Sequence, residues 1–207
     1  LREIKRRRLR PKALMVSSLT AEGASVTTEA LMEGAFDFIL KPSGSASIQN
    51  RDLLRSTLRE KLEAFRAARQ PGQPLRDRGH EAGVAEKFPA PASTCRMVVI
   101  GTSTGGPAAL KTILPRLPEH LAVPVLIVQH MPATYTSSLA SRLNSICPLE
   151  VAEASDGMTV RPGRVILAAG GKQMEVRREG DQVRVQVLVD QQNYRFRPSV
   201  DFLLRSV

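Results

Sequence analysis

A chain of 207 residues holds one large domain or two small ones, and a 42% hydrophobic content excludes global disorder. No apolar run reaches the length of a membrane span, and no apolar signal core follows the basic N-terminus. Of the formal net charge of +10, about six come from residues 1–12, where seven basic side chains face only Glu3. No aromatic residues interleave with that run and no DNA-binding motif surrounds it, so it reads as a solvated helix end and not as a nucleic-acid contact. The two cysteines, Cys95 and Cys147, are too few for a disulfide framework and lack metal-ligand spacing. A cytoplasmic chain with reduced thiols, no metal site and no membrane insertion is the expectation.

In chain order, Leu1–Arg10 reads as the end of a helix stopped by Pro11. Ala13–Val16 is a short apolar strand, followed by Ser17-Ser18-Leu19-Thr20. Glu22–Leu31 is helical, and Gly34 is placed to end it in a left-handed cap. Ala35–Leu40 is a second strand, closed by Lys41-Pro42. Asp52–Phe65 carries Leu54, Leu58, Leu62 and Phe65 at helical spacing. The β-α-β-α order is half of a small doubly wound unit. Residues 70–94 change character: seven prolines and glycines punctuate a polar stretch without period, which reads as a linker.

A second domain opens at about Cys95. Met97–Ile100 is four apolar residues in a row, a strand buried on both faces. Gly101–Gly106 then forms a tight turn, and Pro107 suits the first position of a helix. Val123–Gln129 is a further buried strand with His130 at its C-terminal end. A strand–helix–strand unit of this length implies parallel strands and a right-handed crossover. Both strand ends then lie at the edge of the sheet where sites form in open α/β folds. Beyond, Tyr135–Ile146 is helical, Leu149–Ala154 and Arg164–Ala169 are strands, and Met174–Arg178 with Gln182–Leu188 form a hairpin. Ser199 starts a last helix.

Within the turn, Gly101-Thr102-Ser103-Thr104-Gly105 matches the G-x-S-x-G nucleophile pattern. A hydroxyl beside an imidazole is the minimum apparatus for nucleophilic acyl transfer, and Ser103 with His130 supplies it. His80 falls in the linker and His120 in a polar loop. By pattern alone, the turn is equally a phosphate cradle or a plain tight turn. Against the cradle, Pro107 and Ala108 stand where a P-loop has Lys and Ser/Thr. Met97, Met131 and Met174 read as packing residues, with Met131 also placed to line a substrate groove.

Five motifs now fall in one order: Ile100-Gly101-Thr102-Ser103-Thr104-Gly105-Gly106-Pro107, Gln129-His130-Met131-Pro132, Asp156-Gly157, and Arg197-Pro198-Ser199-Val200-Asp201, preceded by Asp37-Phe38-Ile39-Leu40-Lys41-Pro42. The chain resembles the protein-glutamate methylesterases of bacterial chemotaxis, in which a receiver domain is joined to a methylesterase domain. The resemblance implies an α/β fold throughout: the C-terminal part of a doubly wound receiver over 1–69, a linker over 70–94, and the N-terminal part of a doubly wound parallel-sheet methylesterase domain with a β-hairpin over 95–207. It implies Ser103 as nucleophile, His130 as general base and the Thr104 backbone N–H in the oxyanion hole. Ser17 and Lys41 match the receiver's hydroxyl switch and phosphate-pairing lysine.

The implied reaction is hydrolysis of glutamyl methyl esters on chemoreceptor cytoplasmic helices with release of methanol, and deamidation of receptor glutamines. A histidine kinase is the implied phosphodonor, and phosphorylation would relieve the receiver's block on the active site. The family's third catalytic residue, an aspartate, is expected beyond Val207. Its phosphoacceptor aspartate and Mg²⁺-binding acidic pair are expected before Leu1, so no cofactor is expected in this chain. As a fragment cut at both ends it is expected to be nearly inactive, and Asp156, Asp190 and Asp201 are not promoted to the triad. Members often carry histidine where Phe196 stands, which implies a missing polar contact. The alternative is a non-catalytic docking module that binds receptors or another regulator.

Overall fold

The computed structural model describes residues 1–7, 11–42, 47–69, 95–189 and 194–207. The expected linker, His80 and Asp190 lie outside the described residues. The elements run α1 (Arg2–Arg6), β1 (Leu14–Ser17), α2 (Ala21–Met32), β2 (Asp37–Leu40), α3 (Ser47–Arg69), β3 (Val98–Thr102) and α4 (Gly106–Ile113). They continue with β4 (Val125–Gln129), α5 (Ala133–Asn144), β5 (Glu150–Glu153), β6 (Thr159–Val160), β7 (Arg164–Leu167), β8 (Gln173–Glu179), β9 (Gln182–Leu188) and α6 (Val200–Leu204). Two compact units result: Leu1–Lys41 with Arg96–Val207, and Pro42–Cys95.

In the larger unit, four parallel strands lie in the order β3-β4-β7-β5. All five residues of β4 are buried, as an apolar run flanked by strands on both sides requires. Full burial of each Val, Leu or Ile in it contributes about 1.5–3 kcal/mol. Apolar layers cover both faces of the sheet. Ile127, Val125 and Leu167 meet Leu110, Leu114, Tyr135, Leu139 and Leu143 on one side. On the other, Leu126, Val128 and Ile166 meet Met174, Val185 and Leu203. The strand expected to be buried on both faces, β3, is only half-buried, because it stands at the end of the four-strand order.

The expected hairpin β8–β9 is present and antiparallel, and β6 adds a third, unexpected strand to it. The other parallel pair, β1–β2, runs in register from Leu14 opposite Asp37 to Ser17 opposite Leu40. Thr20 caps α2 by accepting a hydrogen bond from the Gly23 N–H at 3.0 Å. Gly34 follows that helix with φ of 95°, the left-handed turn its position demands.

The β1–α2–β2 segment shares the first apolar layer with α4 and α5, through Ala24, Leu31, Met32 and the stacked rings of Phe38 and Tyr135, 4.6 Å apart. Polar ties reinforce this packing. The Tyr135 hydroxyl donates to the Ser18 carbonyl at 3.0 Å, and Lys111 pairs with Glu33 at 2.7 Å. In the smaller unit, α3 has the expected period, yet Leu58 and Leu62 remain exposed.

Candidate active site

Register places the site. Thr102, the last residue of β3, lies opposite Gln129, the last of β4, and the His130 N–H donates to the Thr102 carbonyl at 3.1 Å. Ser103 and His130 are therefore the first residues beyond two paired strand ends, at the carboxyl edge of the sheet.

Ser103 is exposed at the tip of the strand-to-helix turn. The turn closes with the Gly106 N–H donating to the Ser103 carbonyl at 2.9 Å, and Gly105, at φ of 77°, leads into α4 in the left-handed region. The expectation that Gly101 also serves this turn is corrected: it lies inside β3. A Cβ there would sit 2.7 Å from Val200, so the glycine lets α6 close against β3.

A buried amide holds the turn from beneath. Gln129 is 2% exposed. Its Nε2 donates to the Ser103 carbonyl at 2.9 Å, and its Oε1 accepts from the Thr102 hydroxyl at 2.7 Å. A Cβ on Gly106 would come within 1.9 Å of that Oε1, so the second glycine is needed for the amide to reach its partners. The sequence named Gln129 only as a neighbour of His130. A polar residue closing an otherwise apolar strand was the available signal.

The His130 imidazole lies against Phe196, with ring centroids 4.3 Å apart and planes 12° from parallel. Where a missing polar contact was expected, the structure has an aromatic stack. The His130 Nε2 is buried and has no hydrogen-bond partner among the described residues. Burial pushes the pKa of the imidazole below its usual value. Met131 is buried in the apolar layer, in line with its reading as a packing residue. Thr104 is exposed, and its hydroxyl donates to Asp37 Oδ2 on β2 at 2.6 Å.

Ser17 and Lys41 come together at the other parallel pair, where the Lys41 N–H donates to the Ser17 carbonyl at 2.7 Å. The Ser17 hydroxyl is turned inward and donates to the carbonyls of Gly23 at 3.1 Å and Ser18 at 3.3 Å. His120 is exposed in a turn. Asp156 accepts from the Val187 N–H at 3.0 Å, and Asp201 sits exposed in the first turn of α6. Among the described residues no group of three or more His, Cys, Asp or Glu side chains is gathered to hold a metal, and no helix is long and apolar enough to cross a membrane.

A serine in a glycine-rich strand-to-helix turn, with a histidine at the adjacent parallel strand end, is the layout of an α/β serine hydrolase. Residues 98–207 match the CheB methylesterase family, and the chain belongs to that family. It is 39% identical over 220 residues to a protein-glutamate methylesterase/protein-glutamine glutaminase of Desulfotalea psychrophila, covering 95% of this chain and 58% of that one. A relative of the same name from Halalkalibacterium halodurans is 43% identical over 197 residues, covering 94% and 55%. The crystal structure of the Thermotoga maritima CheB methylesterase catalytic domain is 40% identical with a TM-score of 0.52, over 55% of this chain and 60% of that one. The chain thus spans somewhat more than half the length of these curated relatives.

Proposed function

We propose that the chain is the core of a protein-glutamate methylesterase acting on methylated chemoreceptor helices. The observation that carries this reading is the paired ends of β3 and β4, which set Ser103 and His130 side by side at one sheet edge. Ser103 Oγ attacks the carbonyl carbon of a glutamyl methyl ester, and His130 takes its proton. The tetrahedral oxyanion is met by the Thr104 N–H, at the positive end of α4. Collapse expels methoxide, which leaves as methanol with the proton from His130, and water then releases the free glutamate from Ser103. Amide nitrogen is a poorer leaving group than methoxide, so deamidation of glutamine is the slower reaction of the same pair.

In this family an aspartate orients the histidine, and the resemblance implies the same for His130. Loss of such a carboxylate lowers turnover by about 10⁴ in a serine protease. Residues 1–69 serve on this reading as part of a receiver whose phosphorylation by a histidine kinase frees the site, with Ser17 and Lys41 as its switch pair. The bond from Thr104 to Asp37, beside the nucleophile, is in keeping with such a coupling.

The test is methanol release from methylated receptor. The assay compares the catalytic domain, completed at its C-terminus to the length of its solved relative, with its His130→Ala variant. Release by the first and loss in the second is the expected result. No release by the folded, completed protein would overturn the reading in favour of a docking module.

A further inference from the structure

Phe196 is a large apolar side chain left 43% exposed, and its ring lies nearly parallel to the His130 imidazole. An exposed phenylalanine needs no explanation alone, but the backbone around this one is fastened unusually well. The Phe196 carbonyl accepts from Gln173 Nε2 at 3.0 Å, and Gln173 Oε1 accepts from the Ser199 N–H at 2.8 Å. Gln173 is 1% exposed, so this buried amide clamps the loop on both sides of Arg197-Pro198. The Gly171 N–H adds a third tie by donating to the Arg197 carbonyl at 3.1 Å. Past the clamp, Ser199 caps α6, and Val200 packs against Gly101 of the nucleophile strand. The loop is anchored to the base of the hairpin and to β3 at once, and its side chain is held against the imidazole.

We infer that Phe196 is a positioning residue of the hydrolytic site: its ring, stacked on His130, fixes the plane of the general base and keeps water from one face of it. The inference rests on the methylesterase reading for what His130 does, but the stack itself is independent of that reading. A face-parallel contact near 4.5 Å between aromatic rings is favourable in its own right and removes rotational freedom about the imidazole's side-chain bonds. That matters most where the imidazole's buried nitrogen has no hydrogen-bond partner among the described residues to orient it.

One charged group is placed against the pair, and others lie nearby in the chain or on neighbouring elements. Arg195 lies with its guanidinium carbon 5.2 Å from the Phe196 centroid. Arg197 follows on the same loop, Lys172 precedes the clamp, Asp201 begins α6, and Asp37 is engaged by Thr104. Burial, and none of these charges, is what lowers the His130 pKa, which agrees with an aromatic cover.

The test is a proton NMR titration of the histidines in this chain, with the His130 signal assigned by its loss in His130→Ala. In the unsubstituted protein the His130 ring protons are expected upfield of those of exposed His120, through the ring current of Phe196. In Phe196→Tyr the upfield position and the titration midpoint are retained. In Phe196→Leu the upfield shift is lost, the midpoint moves up toward 6.5, and kcat for methyl ester hydrolysis by the completed domain falls about tenfold with KM little changed. An unshifted His130 signal in the unsubstituted protein overturns the inference even if Phe196→Leu does not fold. So does a Phe196→Leu variant with an unchanged His130 signal. A shifted signal in a completed domain that releases no methanol overturns the methylesterase reading, and the positioning role with it, while leaving the contact in place.

Discussion

Two parallel strand pairs in this molecule end alike and differ in what they expose. At β1–β2, Ser17 sits opposite Leu40, and the next N–H, from Lys41, returns to the Ser17 carbonyl. At β3–β4, Thr102 sits opposite Gln129, and the next N–H, from His130, returns to the Thr102 carbonyl. The backbone arrangement is nearly the same. In the first pair the serine is the last strand residue, buried, with its hydroxyl bonded to the carbonyls of Ser18 and Gly23. In the second the serine is one residue further on, and a buried glutamine holds its carbonyl while its side chain faces solvent. A one-residue offset and a buried amide separate a hydroxyl held by the backbone from one left exposed at the turn.

Exchanging each serine for alanine gives the widest expected separation. Ser103→Ala in the completed domain should abolish methanol release, a loss on the order of 10⁶ as for the serine of a protease, with little change in melting temperature. Ser17→Ala should leave basal hydrolysis intact and lower stability by about 0.5–1.5 kcal/mol in denaturant unfolding, the net worth of a part-buried hydrogen bond.

Next in size is the support beneath the turn. Gly106→Ala drives a Cβ into Gln129 Oε1 and should cost about 1–3 kcal/mol of stability together with most of the activity. The pair is coupled, so the same substitution made in a Gln129→Ala background should cost clearly less. Equal costs in a double-mutant cycle would show that the amide does not hold the turn.

The pH dependence sharpens the same comparison. General-base catalysis needs neutral His130, and burial lowers its pKa below 6.5. Activity should therefore persist as pH falls through 6.5 and decline only at a lower midpoint, read from kcat/KM. Folding stability follows the same sign: it is full above 6.5 and is lost as pH falls from there toward the lowered folded value, because the unfolded chain takes up the proton first. The smallest effect belongs to Glu150, whose carboxyl is held below its usual pKa chiefly by Arg164. Glu150→Gln should change stability by less than about 1 kcal/mol, as an exposed ion pair does.

Much of this was legible in the residues, for identifiable reasons. Periods and breakers located β4, α5, the β8–β9 hairpin and the Gly34 cap, because each is decided within a few positions of its own sequence. The neighbouring positions of Ser103 and His130 were legible because one short crossover brings two parallel strand ends together. What escaped depends on distant residues. β6 is two residues between the turn signals of Asp156-Gly157 and Pro162-Gly163, too short for any period. The half-burial of β3 follows from its place in the strand order, which its own apolar run cannot report. The partners of Gln129, the bond from Thr104 to Asp37 and the stack of Phe196 on His130 join residues 26, 67 and 66 positions apart. No local pattern encodes such pairs.

The claim that matters most is that Ser103 is a nucleophile made reactive by its neighbour. A fluorophosphonate applied to the completed catalytic domain tests it directly, since only an activated hydroxyl displaces fluoride from phosphorus at a useful rate. Peptide mapping by mass spectrometry should place the label on Ser103, with none on Ser17, and His130→Ala should suppress it. A label on another hydroxyl, or labelling of Ser103 that is indifferent to His130, would contradict the account.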